Sequence, residues 1–206
     1  MALSGSPLMH EVGKRILGQY LVTAGARDVE LAPPMRSDAT GIDIRRLEGP
    51  ETVSAKVKVD YYCGTDPAKI GDRDLVFYRA DTSSYALEAI ADTATRAAGW
   101  VQTSLADQLL YYRLAIPRPE AEIAALLESP DGVFFSELGV ERDDLRIVPM
   151  TQLRAWFERS NDRYPPRPVV TAGRSAWYRI VPMAELEAAV PGVRVVGPVY
   201  GSLRSR

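Results

Sequence analysis

Cysteine and histidine are almost absent from this sequence, and their scarcity excludes several kinds of site. The 206 residues include one cysteine, Cys63, and one histidine, His10. A disulfide framework, a cysteine-based zinc site and a histidine-rich metal site are therefore excluded. A Ser-His-Asp triad is disfavoured as well, because the single histidine would have to serve it.

Long apolar runs and a strong net charge are also missing. No stretch approaches about 18 consecutive apolar residues, and residues 1–10 have neither the basic start nor the apolar core of a secretory leader. The formal net charge is −2, so DNA contacts would need a local patch, such as the arginine-rich segments 142–179 and 204–206. We therefore expect a soluble cytoplasmic protein, with one domain or one domain and an extension.

The stretch from Gly41 to Asp60 organises the rest of the chain. Polar and apolar residues alternate on both sides of a turn at Gly49-Pro50, which predicts two antiparallel strands joined by a hairpin. Alternate residues of the second strand share a face. The polar face carries Ser54, Lys56, Lys58 and Asp60, and Asp43 of the first strand can project toward it.

Two interpretations of this polar face are open. In the first, it is a solvated strand surface whose cross-strand ion pairs contribute roughly a few tenths of a kcal/mol each. In the second, it is a nuclease-type site, where carboxylates hold a divalent cation and a lysine orients water or stabilises the phosphoryl charge. The residues before and after the hairpin have to decide between them.

Local patterns predict the surrounding elements. A helix begins at Ser6-Pro7 and ends near Ala24-Gly25. Glu11 on this helix is either a surface acid or an accessory carboxylate above the polar strand face. Residues 130–145 look like a looser segment. Further strands are predicted at Val29–Leu31, Leu75–Arg79, Tyr85–Ile90, Gly99–Ser104 and Leu109–Ile116, with a short helical turn capped by Thr103 or Ser104 before the last of them. A helix is predicted at Pro119–Ser129, and similar strand-to-helix elements at Arg146–Met150 and Arg179–Met183.

Two residues in the middle of the chain have alternative roles. Glu88 lies between Leu87 and Ala89, either on a solvent face or in a buried strand, where it would need a partner or a metal. Trp100 is predicted to be a buried packing residue, and a stacking platform for nucleic acid is the alternative.

The order of helix, aspartate-bearing strand, hairpin, lysine-bearing strand and acid-bearing strand resembles the PD-(D/E)XK nuclease superfamily. The resemblance covers residues 7–116 and is most specific to phage and bacterial members. It implies an α/β fold with a mixed central sheet flanked by helices. The short motifs that carry it are Lys56–Asp60, Ala86–Glu88, Gly99–Thr103 and Ala106-Asp107.

The resemblance also implies roles for individual residues. Asp43 would be the metal-binding aspartate, Lys58 the catalytic lysine and Glu88 an auxiliary acid. The second acid of the family falls on Lys56, which reverses the charge beside the metal. Either a neighbouring acid replaces this ligand, or the site binds phosphate without cutting it. The candidate replacements are Glu88, Glu51 and Glu11.

These observations lead to one set of expectations. Residues 1–130 form a nuclease-like core, and residues 131–206 form a C-terminal strand-helix extension packed on it. The expected function is a Mg²⁺- or Mn²⁺-dependent DNA nuclease, of the endonuclease or Holliday-junction-resolvase kind, in phage or bacterial DNA processing. A catalytically inactive binding or assembly module is the alternative, and a homodimer is left open. The expected catalytic residues are Asp43, Lys58 and Lys56, and the expected metal ligands are Asp43, Glu88 and Glu11.

Overall fold

The structure is a computed structural model and describes residues 7–33, 40–62, 83–171 and 174–203. The strands are β1 (Arg27–Leu31), β2 (Ile44–Glu48), β3 (Glu51–Tyr62), β4 (Ser84–Asp92), β5 (Ala97–Ala98), β6 (Gln108–Ala115), β7 (Arg142–Pro149), β8 (Pro166–Thr171), β9 (Arg174–Pro182) and β10 (Arg194–Gly197). The helices are α1 (Pro7–Thr23), α2 (Trp100–Thr103), α3 (Glu120–Leu127), α4 (Asp131–Glu137), α5 (Met150–Ser160) and α6 (Met183–Ala189).

The expected α/β class with a mixed central sheet is confirmed. The described strands form a six-stranded sheet in the order β1-β2-β3-β6-β7-β10 and a four-stranded sheet in the order β5-β4-β9-β8. In the larger sheet β3 and β6 are parallel, and the other neighbours are antiparallel. Strands from both sides of residue 130 occur in both sheets. The predicted boundary at residue 130 therefore does not separate one sheet from the other.

Both faces of the larger sheet are covered, because successive side chains of a strand point to opposite faces. Leu110 and Tyr112 of β6 pack in one core cluster with residues of α1, α3 and α4. Leu109 and Tyr111 pack in the other cluster, with residues of β4, α5 and α6. The second sheet therefore lies over the strand face that carries the lysines.

Helix α1 approaches β3 very closely. Its buried stripe lies at helical spacing and includes Met9, Val12, Ile16 and Leu17, each 0% exposed. A Cβ atom at Gly13 would lie 2.3 Å from Cγ2 of Val59, so only a residue without a side chain fits this crossing. The close contact places the first turns of α1 beside the edge of β3.

Most of the local predictions are confirmed, and one is wrong. The first helix, the hairpin, the strands at β1, β4 and β6, helix α3 and both strand-to-helix elements are present. The segment Gly99–Ser104 was expected to be a strand, but Trp100–Thr103 is helical. Helix α4 occupies part of the segment that looked loose. Both elements are too short for a periodic pattern to emerge. The predicted strand at 75–79 lies outside the described residues.

Membrane insertion by a helix finds no support in the described ranges. None of the helices there combines the length and the apolar character that a bilayer crossing requires.

Candidate functional site

A cavity opens where β3 continues past the end of β2. Strand β2 pairs with residues 51–55 of β3, and β3 runs on to Tyr62. Asp43 lies just before β2, and its Oδ2 accepts the backbone N–H of Val57 at 2.7 Å. The cavity has a volume of about 430 Å³ and lies between this edge and α1. Its polar lining includes His10, Glu11, Lys14, Asp43, Lys56 and Lys58, and its aromatic lining includes Trp100 and Tyr178.

Asp43 is the centre of the polar cluster. Its Oδ1 lies 3.2 Å from Nε2 of His10, and its Oδ2 lies 3.2 Å from Nζ of Lys56. Burial on its own would raise the pKa of Asp43, but the hydrogen bond with His10, the charge of Lys56 and the Val57 N–H together hold that pKa below its ordinary value. Asp43 is therefore an ionised carboxylate whose two oxygens already have partners.

Lys58 and Asp60 lie on the same strand face as Lys56. Nζ of Lys58 lies 3.4 Å from Oδ1 of Asp60 and 5.8 Å from the centre of the Tyr178 ring. The hydroxyl of Tyr111 donates to the other oxygen of Asp60. Burial raises the pKa of Asp60, against the opposing charge of Lys58.

This strand face is not a solvated surface. The side chain of Lys58 is only 10% exposed and that of Asp60 only 24%. The solvated surface of the first interpretation is therefore wrong, whereas an ion pair of the kind that it expected is present between Lys56 and Asp43. The reason is that the second sheet covers the face, which no local pattern in the hairpin could indicate.

Glu88 lies behind the cavity wall and not in its lining. One of its carboxylate oxygens accepts the hydroxyl of Tyr178 at 2.9 Å, and the other accepts the backbone N–H of Trp100 at 3.2 Å. A Cβ atom at Gly99 would lie 2.1 Å from the carbonyl oxygen of Glu88, so this glycine lets α2 start directly against β4. Glu88 thus positions two aromatic residues that do line the cavity.

Glu11 lines the cavity but is paired away from Asp43. Its carboxylate lies 2.8 Å from Nζ of Lys14. Lys14 is only 3% exposed and also donates to the backbone carbonyl of Ala32 at 2.8 Å. This buried lysine ties α1 to the end of β1 and neutralises the acid that was predicted to be an accessory ligand.

Four of the five predicted site residues meet in this cavity: Asp43, Lys56, Lys58 and Glu11. Sequence analysis assigned no role here to His10, Lys14 or Tyr178. His10 and Lys14 are four residues apart on α1, so they lie on the same side of the helix, beside Glu11. Helical spacing alone could have indicated that these three residues group together. Tyr178 comes from β9, far along the chain, and no local signal indicates it.

The Ala106-Asp107 motif lies away from the cavity, at the other end of β3. Oδ2 of Asp107 accepts the backbone N–H of Ser54 at 2.8 Å and its hydroxyl at 2.6 Å. These bonds lower the pKa of Asp107. The motif joins the start of β6 to β3 and is structural in this chain.

The arrangement of the cavity residues does not fit a divalent metal. Mg²⁺ needs several oxygen ligands in near-octahedral geometry. Within the described ranges, no group of three or more His, Cys, Asp or Glu side chains is placed to hold a metal ion. The two carboxylates in the described lining, on Asp43 and Glu11, each have a lysine ammonium group against one oxygen. Both carboxylates of the lining are therefore already paired with protein cations.

Comparison with protein-family models, curated proteins and solved structures finds no match to this chain.

Proposed function

We propose that this protein binds phosphate groups of DNA in the cavity between α1 and β3 without cutting the strand. It would be a catalytically inactive relative of the nucleases that it resembles. The observation that carries this proposal is the distance of 3.2 Å between Nζ of Lys56 and Oδ2 of Asp43. An ammonium group stands where the resemblance requires a metal-binding acid.

The ammonium group of Lys56 disfavours a metal ion beside Asp43. Two like unit charges about 4 Å apart repel by roughly 4 kcal/mol at the effective dielectric near a protein surface, and a divalent ion doubles the charge. A phosphate would gain from Lys56 and Lys58, which are two residues apart on one strand face, and would share them with their carboxylate partners Asp43 and Asp60. Both side chains are at least 85% buried, so solvent and salt weaken their attraction only in part.

The binding experiment compares two variants that each remove one positive charge. Lys56→Met removes the ammonium group inside the cavity. Arg45→Ala is the matched control, because Arg45 is exposed on the neighbouring strand β2. We expect Lys56→Met to weaken binding of single-stranded DNA about tenfold, measured by fluorescence anisotropy in EDTA, and Arg45→Ala to change it by less than about twofold. In Lys56→Met, the slope of the logarithm of the binding constant against the logarithm of the salt concentration should become about one unit less steep. Equal affinities for wild type and Lys56→Met would contradict the proposal.

The second candidate is the metal-dependent DNA nuclease that the resemblance implies. It is favoured by one observation: Asp43, Lys58 and Glu11 line the same cavity. The test is conversion of supercoiled plasmid to nicked circles over a series of Mg²⁺ and Mn²⁺ concentrations. Nicking that is lost in Asp43→Asn would replace the first proposal with this one. Nicking only in Lys56→Glu would instead support a nuclease site that has lost its second acid.

Location and assembly rest on the sequence alone. A cytoplasmic location, a role in phage or bacterial DNA processing and a homodimer therefore stay predictions.

A further inference from the structure

Trp100 is the feature of the cavity that phosphate binding does not use. It is partly buried, packs against the core between the two sheets and lines the cavity. Its indole Nε1 is buried and has no hydrogen-bond acceptor among the residues that the structure describes. Because the protein itself shields Nε1 from solvent, a ligand in the cavity meets other atoms of Trp100.

The position of Trp100 is fixed from behind. Its backbone N–H donates to Glu88, and the neighbouring Gly99 lies against the backbone of β4. The ring is therefore part of a preformed wall, and binding against it costs little ordering of the protein.

The depth of the ammonium groups limits what can reach them. The side chains of Lys56 and Lys58 are 15% and 10% exposed, and both line a cavity of about 430 Å³. This volume is in the range of sites for small ligands. A duplex can bring a phosphate to this recess but keeps its bases stacked inside a stiff rod, away from Trp100. A free nucleotide or the end of a single strand can enter.

We infer that the cavity takes one nucleotide, with the phosphate on Lys56 and Lys58 and the base against Trp100. The inference rests on the proposed function and names its ligand. A base offers a flat face against which the indole ring can stack. Two sources share this chemistry, a free mononucleotide and the terminal nucleotide of a single DNA strand.

The experiment measures affinity by calorimetric titration in EDTA with five probes. These are inorganic phosphate, thymidine, thymidine monophosphate, a short single strand with a terminal phosphate, and the blunt duplex of the same sequence. We expect the monophosphate to bind at least tenfold more tightly than phosphate or thymidine, and the single strand to bind at least tenfold more tightly than the duplex. Equal affinity for monophosphate and single strand would identify the free nucleotide as the ligand, and a tighter single strand would identify the strand end.

Two tryptophan variants separate the base contact from the phosphate contact. Trp100→Leu should weaken monophosphate binding about tenfold or more and leave phosphate binding within about twofold. Trp177→Leu is the matched control, because Trp177 is 38% exposed and does not line the cavity. Trp100→Phe keeps a smaller aromatic ring, so its monophosphate affinity should fall between those of wild type and Trp100→Leu, and it replaces Trp100→Leu if that variant proves unstable by circular dichroism.

The possible outcomes distinguish failure of the nucleotide pocket from failure of the proposed phosphate binding. Phosphate and monophosphate binding of equal strength, unchanged in Trp100→Leu and Trp100→Phe, would overturn the nucleotide pocket and leave phosphate binding intact. Duplex binding as tight as single-strand binding would overturn it too. No binding of any phosphate, with no effect of Lys56→Met, would overturn both.

Discussion

Replacing Asp43 by asparagine tests whether the buried ion pair with Lys56 exists as described. The side chains of the pair are 8% and 15% exposed, and the two charged atoms are 3.2 Å apart. Asparagine keeps the size of the side chain and one acceptor for the Val57 N–H, but leaves the buried ammonium without its counter-charge. Exposed pairs contribute about 0.2–1 kcal/mol, whereas breaking a fully buried pair costs about 3–5 kcal/mol. Because the cavity admits solvent, we expect Asp43→Asn to lower the free energy of unfolding by about 2–3 kcal/mol.

A double-mutant cycle isolates the pair from its surroundings. The variants Asp43→Asn, Lys56→Met and their combination are unfolded in urea, and we expect a coupling energy of about 2 kcal/mol. The loss in Asp43→Asn corresponds to roughly 4–12 °C in the midpoint of thermal unfolding. The exposed pair Arg118–Glu122 is the matched control, because its charged atoms are also 3.2 Å apart while its side chains are 35% and 55% exposed. Its coupling should be about 0.3–0.5 kcal/mol. A coupling no larger than this for Asp43 and Lys56 would refute the buried pair.

Two further predictions concern stability. Gly99→Ala should lower the free energy of unfolding in urea by about 3 kcal/mol or more, because the new Cβ would meet backbone atoms of Glu88 that cannot move aside. Gly132→Ala is the control: this position is helical and has open space around it, so the change should be neutral or slightly stabilising. The pKa of Asp43 is lowered on folding, so its contribution to the free energy of unfolding is present above about pH 4 and is lost as the pH falls through the pKa of the folded state. The pKa of Asp60 is raised on folding, so the stability that it contributes is lost as the pH rises from about 4 through the pKa of the folded state. Unfolding of Asp43→Asn and Asp60→Asn across this range checks both, since each variant should lack one of the two losses.

The elements that sequence analysis predicted well are those with a local cause. Alternation over the twelve residues of β3 placed Lys56 and Lys58 on one face, and the turn at Gly49 brought Asp43 beside them. The apolar stripe of α1 is equally local. These patterns were enough to predict that an aspartate and two lysines share a site.

What the sequence could not indicate is which surface covers that site. The four-stranded sheet lies over the lysine face through contacts between β4, β9 and the core residues of β6. Tyr178 and Glu88 meet across 90 residues of chain, and only the pairing of β4 with β9 brings them together. The same long-range packing turns a charged strand face into a recess. No periodic pattern within a single strand contains this information.

The cavity wall has a consequence for the order in which the protein matures. His10 comes from the first helix and Tyr178 from the ninth strand, so the two sides of one recess are separated by most of the chain. Bringing α1 and β9 together is slow, because the chain loses the entropy of loop closure before the contacts between them form. During synthesis, the nascent chain exposes the lysines of β3 long before β9 leaves the ribosome. The recess is therefore complete only after β9 has been synthesised, and a ribosome stalled before β9 would hold a chain with its ammonium groups open to solvent.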